Sequence, residues 1–335
     1  MSGRVGEWEI DILATARRGE KVKSGFIVCL ILMIPVAGLP VAQATDIQTA
    51  PQVSAVFQPE IARLASEGLR LKQALEASLE AGAHHLVAIF ERANPKAPNE
   101  AMEFRIIEND SRRSRAIFRR SEFFFSFPTV KEIAALNATD INGDGRKEII
   151  VQSSSGGNCW SCNPIEIYRV SGHKAELIAA GPIQKIADLD DDRIAELIVA
   201  DARWEIYEDL SHADAPTALM VYAWRDGRYV YASREFAIFY GNEIARLRAE
   251  INEAKARISG AEFSDDAYVG RAMSIAITYI HSGLVERGLK ELEALMNSNF
   301  RSPNQKKRRA AITEDFRNGE SSRKLREMKP GDPIL

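Results

Sequence analysis

Two acidic stretches in the middle of the chain decide the fold. Residues 140–149 read DINGDGRKEI, and residues 188–197, which begin 48 positions further on, read DLDDDRIAEL. The stretches align without a gap, and a short apolar run follows each acidic loop, Ile149–Val151 after the first and Leu197–Val199 after the second. A motif that recurs at a fixed spacing, with strand-like residues behind it, indicates repeated β units.

Further strand candidates accompany both stretches. Each is followed by two apolar runs joined by a turn, and Asp226-Gly227 is a strong hairpin signal. A third set of candidates lies upstream and has no acidic loop. The expected strands are His84–Glu91, Met102–Glu108, Ser114–Arg120, Ile165–Val170, Ala175–Ala180, Ala218–Trp224 and Tyr229–Ser233. The pattern predicts stacked antiparallel sheet units over residues 84–235.

The acidic stretches carry oxygen ligands at alternate positions. Side chains at positions 1, 3 and 5 of a tight loop converge, and a carbonyl at position 7 and a carboxylate at position 9 can close the shell. Such a flexible shell of hard oxygens suits calcium better than zinc. Loop 1 (residues 140–148) offers Asp140, Asn142, Asp144, the carbonyl of Arg146, and Glu148. Loop 2 (residues 188–196) offers Asp188, Asp190, Asp192, the carbonyl of Ile194, and Glu196.

The two loops differ at one backbone position. Gly145 stands where a left-handed turn is easiest, whereas Arg193 occupies that place in loop 2 and must bear strain. An EF-hand would need a bidentate Glu at the twelfth position, but Val151 and Val199 stand there. Carboxylates that only cap turns on a solvated loop are the alternative to a metal site.

The loops and their flanking strands, about residues 135–233, resemble the FG-GAP/VCBS repeat family, the calcium-loop blades of integrin-type β-propellers. The family motif D-x-D/N-x-D-G-x-x-D/E-I/L fits loop 1 closely, and loop 2 lacks its glycine. The resemblance implies blade-like antiparallel units that bind calcium. A propeller of this family has about seven blades, so two good units and one degenerate unit imply an incomplete propeller.

Helices are expected on both sides of the sheet region. Apolar spacing predicts a helix over Pro59–Leu79 and a longer one over Phe236–Ile258. Ser264 or Asp265 can cap a further helix that reaches His281.

The C-terminal part divides into a helical region and a tail. Residues 268–296 resemble half of a TPR-type hairpin, which cannot bury its own face and is expected to cap the sheet or to form a docking surface. Residues 301–335 are basic and lack a sustained apolar period, so they are expected to be disordered. The predicted α+β chain therefore contains an N-terminal targeting segment (1–44), a helical segment (45–83), sheet repeats (84–235), a helical region (236–300) and a tail (301–335).

The N-terminal segment is expected to be a targeting segment and not part of the fold. No charged residue occurs from Ser24 to Thr45, basic residues precede this stretch, and Ala42-Gln43-Ala44 supplies the pattern that signal peptidase needs. The segment predicts a signal peptide, cleaved after Ala44, behind an over-long N-terminal extension. The sequence therefore predicts a bacterial protein that is periplasmic or secreted. An uncleaved inner-membrane anchor is the alternative, although Pro35 and Pro40 interrupt the apolar run.

Two cysteines remain after such a cleavage. Cys159 and Cys162 lie in a polar loop between strand candidates, and an oxidising compartment favours a disulfide between them. Thiol–disulfide exchange is the alternative, but this chemistry usually needs a helix N-terminus after a strand. Zinc would need two further ligands.

Composition and missing motifs limit the function. The 335 residues carry a formal net charge of −3, with 45% apolar and 27% charged residues, which is typical of a globular protein and gives no reason to expect nucleic acid. Zinc-protease, nucleophile-elbow and phosphate-loop motifs do not occur, and the scattered histidines assemble no catalytic set. The sequence favours a calcium-stabilised module that binds a protein or glycan in the cell envelope, with the membrane as partner only through an uncleaved N-terminal segment. An envelope enzyme, either a redox protein or an unidentified hydrolase, is the alternative.

Overall fold

The computed structural model describes residues 52–110, 113–207, 210–258, 265–298 and 302–334. The predicted signal peptide, residues 1–44, lies outside these ranges. Within them, no helix combines the length and the apolar character that crossing a membrane requires.

Three consecutive four-stranded antiparallel sheets form the centre of the protein, and each is a simple meander. The first contains β1 (Leu69–Ala77), β2 (His84–Arg92), β3 (Met102–Asn109) and β4 (Ser114–Glu122). The second contains β5 (Phe124–Ser126), β6 (Glu148–Ser154), β7 (Ile165–Ser171) and β8 (Lys174–Gly181). The third contains β9 (Ile183–Ala187), β10 (Glu196–Ala200), β11 (Leu219–Arg225) and β12 (Arg228–Tyr231). The predicted strands are confirmed with small changes of boundary.

Helices lie at both ends of the sheet region. The helix α1 (Gln58–Ser66) precedes the first sheet, and the short α2 (Lys131–Ala134) lies between β5 and β6. The C-terminal part consists of α3 (Ala237–Ile258), α4 (Asp266–His281), α5 (Val285–Met296), α6 (Pro303–Asn318) and α7 (Glu320–Glu327). The protein is therefore mixed, with antiparallel sheets flanked by helices.

The sheets pack face to face because successive side chains of a strand point to opposite faces. On β6, Ile149 joins the cluster that contains Phe104 of the first sheet. The next residue, Ile150, joins the cluster that contains Leu197 and Val199 of the third sheet. The middle sheet is thus buried on both faces, which explains the unbroken apolar run Ile149–Val151 in β6.

The outer faces of the stack are covered by helices. On the first sheet, Leu86 and Phe90 pack with Leu64 of α1. On the third sheet, Val221 packs with Tyr240 near the start of α3.

The N-terminal helix predicted over Pro59–Leu79 is wrong in its second half. The helix ends at Ser66, Gly68 follows with φ +82°, and β1 begins at Leu69. Leu69, Leu71 and Leu75 fit a strand period as well as a helical one, and pairing with β2 decides between them. The sheet repeats therefore begin before residue 84.

The predicted disordered tail is also wrong, because residues 303–327 form α6 and α7. Ser302 and Gln305 form a capping box at the start of α6. Phe316 is buried and stacks on Trp204, with ring centroids 5.3 Å apart. Asp265, expected to cap α4, instead forms an ion pair with the buried Arg309. Ile312, Phe316 and Leu325 are the apolar side chains that this segment buries, and they are too few for a repeated apolar period to signal the helices.

Candidate metal centre

Loop 1 connects α2 to β6, and its aspartates hold the turn by accepting backbone hydrogen bonds. The Asp140 carboxylate accepts from the N–H groups of Gly143 and Gly145, both at 2.8 Å. The Asp144 carboxylate accepts from the N–H of Arg146 at 2.9 Å. Both glycines lie in the left-handed region, with φ +72° and +82°. Gly145 therefore has the role that the sequence predicted for it.

Loop 2 connects β9 to β10 and repeats this backbone without glycine. Asp188 accepts from the N–H groups of Asp192 at 3.2 Å and Arg193 at 2.8 Å, and Asp192 accepts from the N–H of Ile194 at 2.7 Å. Asp191 and Arg193, which align with the two glycines of loop 1, have φ +64° and +73°. The strain expected at Arg193 is thus present, and a second residue shares the unfavourable conformation.

The last ligand position of each loop is a buried glutamate at the start of a strand. Glu148 accepts from the N–H of Ile141 at 2.9 Å, and Glu196 accepts from the N–H of Leu189 at 2.8 Å. Burial raises the pKa of each glutamate to about 7, and the aspartates of the same loop add to the shift, while these two N–H groups oppose it. Each loop therefore contains a carboxylate that favours a cation or a proton beside it.

The loops differ in chemistry at the third position. In loop 1, the amide of Asn142 donates to Glu148 Oε1 at 3.0 Å, so this buried glutamate has a protein donor. In loop 2 the residue is Asp190, which cannot donate when ionised. Ligand atoms of Asp188, Asp190 and Glu196 all lie within 4.8 Å of one another. Loop 1, whose residues are all described, contains no comparable group of carboxylates.

A basic side chain is a second chemical difference between the two loops. Arg169 of β7 donates from Nη1 to Asp144 Oδ2 at 2.9 Å, and its guanidinium lies 5.8 Å from the ring centroid of Trp224. For Asp192, the equivalent residue of loop 2, the described residues include no Lys, Arg or His at ion-pair distance. Negative charge is therefore balanced by protein groups in loop 1 and concentrated in loop 2.

The loops contact each other across the second and third sheets. The N–H of Ala195 donates to the carbonyl of Ile141 at 2.7 Å. Tyr229 of β12 is buried near both loops, and its hydroxyl has no hydrogen-bond partner among the described residues. Burial raises the pKa of Tyr229, and the carboxylates of Glu148 and Glu196 add to this shift. No sequence motif marks this tyrosine, because only the packing of β12 brings it to the loops.

The cysteine loop lies between β6 and β7. The sulfur atoms of Cys159 and Cys162 are at disulfide distance, within a turn and not at the start of a helix. The loop is held by the buried carboxylate of Glu205, which accepts from the N–H of Trp160 and lies 3.4 Å from the Ser161 hydroxyl.

A cavity of about 460 Å³ adjoins the cysteine loop. Its walls include residues of the second and third sheets and of the loops that follow them. The lining of this cleft includes six polar or aromatic side chains, namely Gln152, Asn158, Trp160, Asn163, Gln184 and His212. The amides offer both donors and acceptors, and the indole offers an apolar face with one N–H donor.

No family model matches the chain, and no curated protein matches it significantly.

Proposed function

We propose that the protein is a calcium-stabilised binding module of the FG-GAP/VCBS type that acts in the periplasm or outside the cell. The observation that carries the proposal is the convergence of Asp188, Asp190 and Glu196 in loop 2. All three offer carboxylate oxygens, which suit a hard cation such as calcium, and among the described residues no side-chain donor compensates their combined charge as Asn142 and Arg169 do in loop 1. The meander of each sheet and the position of each loop before the second strand fit blades of an incomplete propeller.

Calcium in loop 2 would have a structural role. Loop 2 is bonded to loop 1 through Ala195 and Ile141, and the loops start strands of different sheets. A cation that fixes loop 2 therefore stiffens the contact between the second and third sheets. Loop 1 is the weaker candidate, because the Asn142 amide donates to its glutamate and Arg169 pairs with Asp144, so its carboxylates have side-chain partners without a cation.

The cleft beside the cysteine loop is where this module would bind a glycan. Sugar hydroxyl groups need paired donors and acceptors, which amide side chains such as Asn158 and Gln184 supply, and Trp160 offers a face for the apolar side of a ring. Such a cavity, apolar in part and lined by a few polar groups, is typical of small-ligand sites.

A redox function of Cys159 and Cys162 is less well supported. A reactive thiol needs positive surroundings or a helix N-terminus to lower its pKa. This pair lies in a turn whose residues Trp160 and Ser161 contact the buried carboxylate of Glu205, and a negative charge beside the turn disfavours a thiolate. The disulfide therefore fits a role in shaping one wall of the cleft.

The proposal is tested by thermal unfolding of the full chain in chelator, in millimolar calcium and in millimolar magnesium. A cation that binds only the native state stabilises it by about 2.7 kcal/mol at a hundredfold excess over the dissociation constant. Extracellular calcium modules have dissociation constants of roughly 0.1–1 mM. We expect calcium to raise the melting temperature and magnesium to do so poorly.

A matched control separates loop 2 from general charge effects. Glu196→Gln should remove most of the calcium response, whereas Asp226→Asn, in the exposed turn between β11 and β12, should leave it intact. Equal melting temperatures of the native chain in chelator and in millimolar calcium would overturn the proposal.

A further inference from the structure

A second group of carboxylate and imidazole side chains lies where the first sheet meets the turn between β7 and β8. Glu80 belongs to the turn between β1 and β2, and His173 belongs to the turn between β7 and β8. His85 on β2 and Glu108 on β3 are directly opposite each other in the sheet. Four residues that are scattered over the sequence therefore come from two sheets, three of them from the first sheet, which has no acidic loop among its described residues.

Three of these residues bring ligand atoms close together. One atom each from Glu80, Glu108 and His173 lies within 4.8 Å of the other two. Glu108 is fully buried, and its Oε1 lies 2.5 Å from His173 Nδ1. The ring of His173 is itself half exposed, with 58% of its side-chain surface accessible, so solvent reaches the group from this side.

Each carboxylate is anchored through one oxygen and presents the other to the group. Arg115 donates from Nε at 3.0 Å and from Nη2 at 2.9 Å to Glu108 Oε2, which leaves Oε1 on the side of His173. The N–H of Gly172 donates to Glu80 Oε1 at 3.0 Å. The other oxygen of Glu80, Oε2, is buried and has no hydrogen-bond partner among the described residues. Outer hydrogen bonds of this kind orient the ligands of metal sites.

His85 provides an independent sign of a bound group. Its ring is fully buried, and its Nε2 has no partner within the described part of the chain. The Leu79 N–H donates to Nδ1 at 3.4 Å, so the proton of the neutral ring is on Nε2. His85 is directly opposite Glu108 in the sheet, so its side chain lies on the same face as this carboxylate. A buried donor and a buried acceptor without partners are each unfavourable.

We propose that Glu80, Glu108 and His173 bind a divalent transition metal, with zinc as the best match. Mixed imidazole and carboxylate donors suit zinc, whereas calcium takes oxygen donors alone. Two carboxylates balance the charge of the ion, and the metal takes the place of the proton that His173 and Glu108 share. Three protein ligands leave a fourth position for water.

The site has a structural consequence that is separate from the acidic loops. Glu80 and Glu108 belong to the first sheet, and His173 follows β7 of the second sheet. A bound ion would therefore tie the first sheet to the second, as a cation in loop 2 would stiffen the contact of the second sheet with the third. Binding in the native state alone would add to stability in the same way.

The test is a calorimetric titration of the chelator-treated full chain with zinc alone, in a buffer that contains millimolar calcium. Calcium saturates the acidic loops, so zinc heat then reports on another site. We expect one zinc ion per chain, and substitution by cobalt should give the visible absorption of a tetrahedral site. No zinc uptake by the native chain would overturn the proposal.

Two variants and one control assign the ligands. His173→Asn keeps a residue that tolerates the left-handed conformation, since His173 has φ +64°. Glu80→Gln keeps the acceptor for Gly172. Each should weaken zinc binding by about tenfold or more, whereas His84→Asn, on the same strand as His85 but paired with Glu76, should bind as the native chain does. Undiminished binding in both ligand variants would refute the assignment.

Discussion

Loop 1 and loop 2 have the same hydrogen-bonded backbone, but they balance the charge of their buried glutamates in different ways. In loop 1 the turn is made easy by Gly143 and Gly145, and Asn142 donates to Glu148. In loop 2 the same conformation is forced on Asp191 and Arg193, and Asp190 adds a charge beside Glu196.

The comparison separates two properties that a sequence motif combines. Glycine at the left-handed position reports how easily the backbone forms the loop. The number of carboxylates without a protein donor reports how strongly the loop needs a cation. Loop 1 matches the motif better, yet loop 2 has the greater excess of negative charge. The predictions below test this distinction, beginning with a carboxylate that needs no metal at all.

Asp201 lies at one extreme of this comparison, because its carboxylate has side-chain hydrogen-bond donors from the protein and needs no cation. It is fully buried and accepts hydrogen bonds from Arg203 at 2.6 Å, from Trp204 Nε1 at 3.1 Å and from His281 Nε2 at 3.1 Å. The hydroxyl of Tyr231 lies 2.9 Å from the other ring nitrogen of His281. We predict that Asp201→Asn lowers the free energy of unfolding by about 3 kcal/mol, since it leaves the partly buried guanidinium of Arg203 without its counter-charge.

Two features distinguish this effect from that of the loops. Chemical denaturation should give the same loss in chelator and in calcium. Burial alone would raise the pKa of Asp201, but His281 and Arg203 hold it well below its usual range. The stabilisation is therefore complete above the unfolded pKa of about 3.9 and is lost as the pH falls toward the folded value. The Asn variant should be less sensitive to acid, and a calcium-dependent loss would contradict this account.

Asp190→Asn tests the charge of loop 2 by giving it the side chain of loop 1. Calcium affinity should fall by about tenfold, which reduces the calcium-dependent stabilisation from about 2.7 to about 1.4 kcal/mol at the same calcium concentration. In chelator the variant should be more stable than the native chain, because the new amide can donate to Glu196. Denaturation in both buffers measures the two effects, and equal calcium responses of variant and native chain would remove loop 2 as the site.

Asn142→Asp is the reverse exchange. It removes the donor to Glu148 Oε1 and adds a like charge, so it should destabilise the chain in chelator by about 1–2 kcal/mol. Calcium should recover much of this loss, because loop 1 then carries three aspartates and a glutamate. A loss that calcium does not relieve would mean that the Arg169 contact, and not the missing carboxylate, limits binding in loop 1.

The sequence predicted the sheets well because their information is local. Alternating or β-branched runs bounded by turns identify strands such as β7 and β11, and the repeated acidic motif orders them into units. The helix predicted over the N-terminal segment was wrong in its second half because Leu69, Leu71 and Leu75 suit both a helical and a strand period. Only the pairing of this stretch with β2 excludes the helix. Helices α6 and α7 were missed because the burial of Phe316 depends on Trp204, more than 100 residues away along the chain.

The candidate sites divide in the same way. The acidic loops are contiguous in sequence, so their residues could be named before the fold was known. The Asn142 donor, the Arg169 ion pair and the buried Tyr229 depend on packing between sheets, and no spacing rule predicts them. The histidine group is the extreme case, since His173 meets Glu108 only because the first and second sheets pack together.

The smallest effect concerns the backbone of loop 2. Arg193→Gly restores the motif glycine where φ is +73°, and the side chain that it removes is exposed. Relief of the left-handed conformation favours the variant by about 1–2 kcal/mol, and the greater freedom of glycine in the unfolded chain offsets about 0.4–1 kcal/mol of this. We therefore expect a net gain of about 0.5 kcal/mol in chelator, with the calcium response unchanged because no ligand is altered. Gly145→Ala, at the matching position of loop 1, should lose stability under the same denaturation assay. If Arg193→Gly instead increased the calcium response well above that of the native chain, backbone strain and not charge would govern affinity, and the ranking of the two loops would reverse.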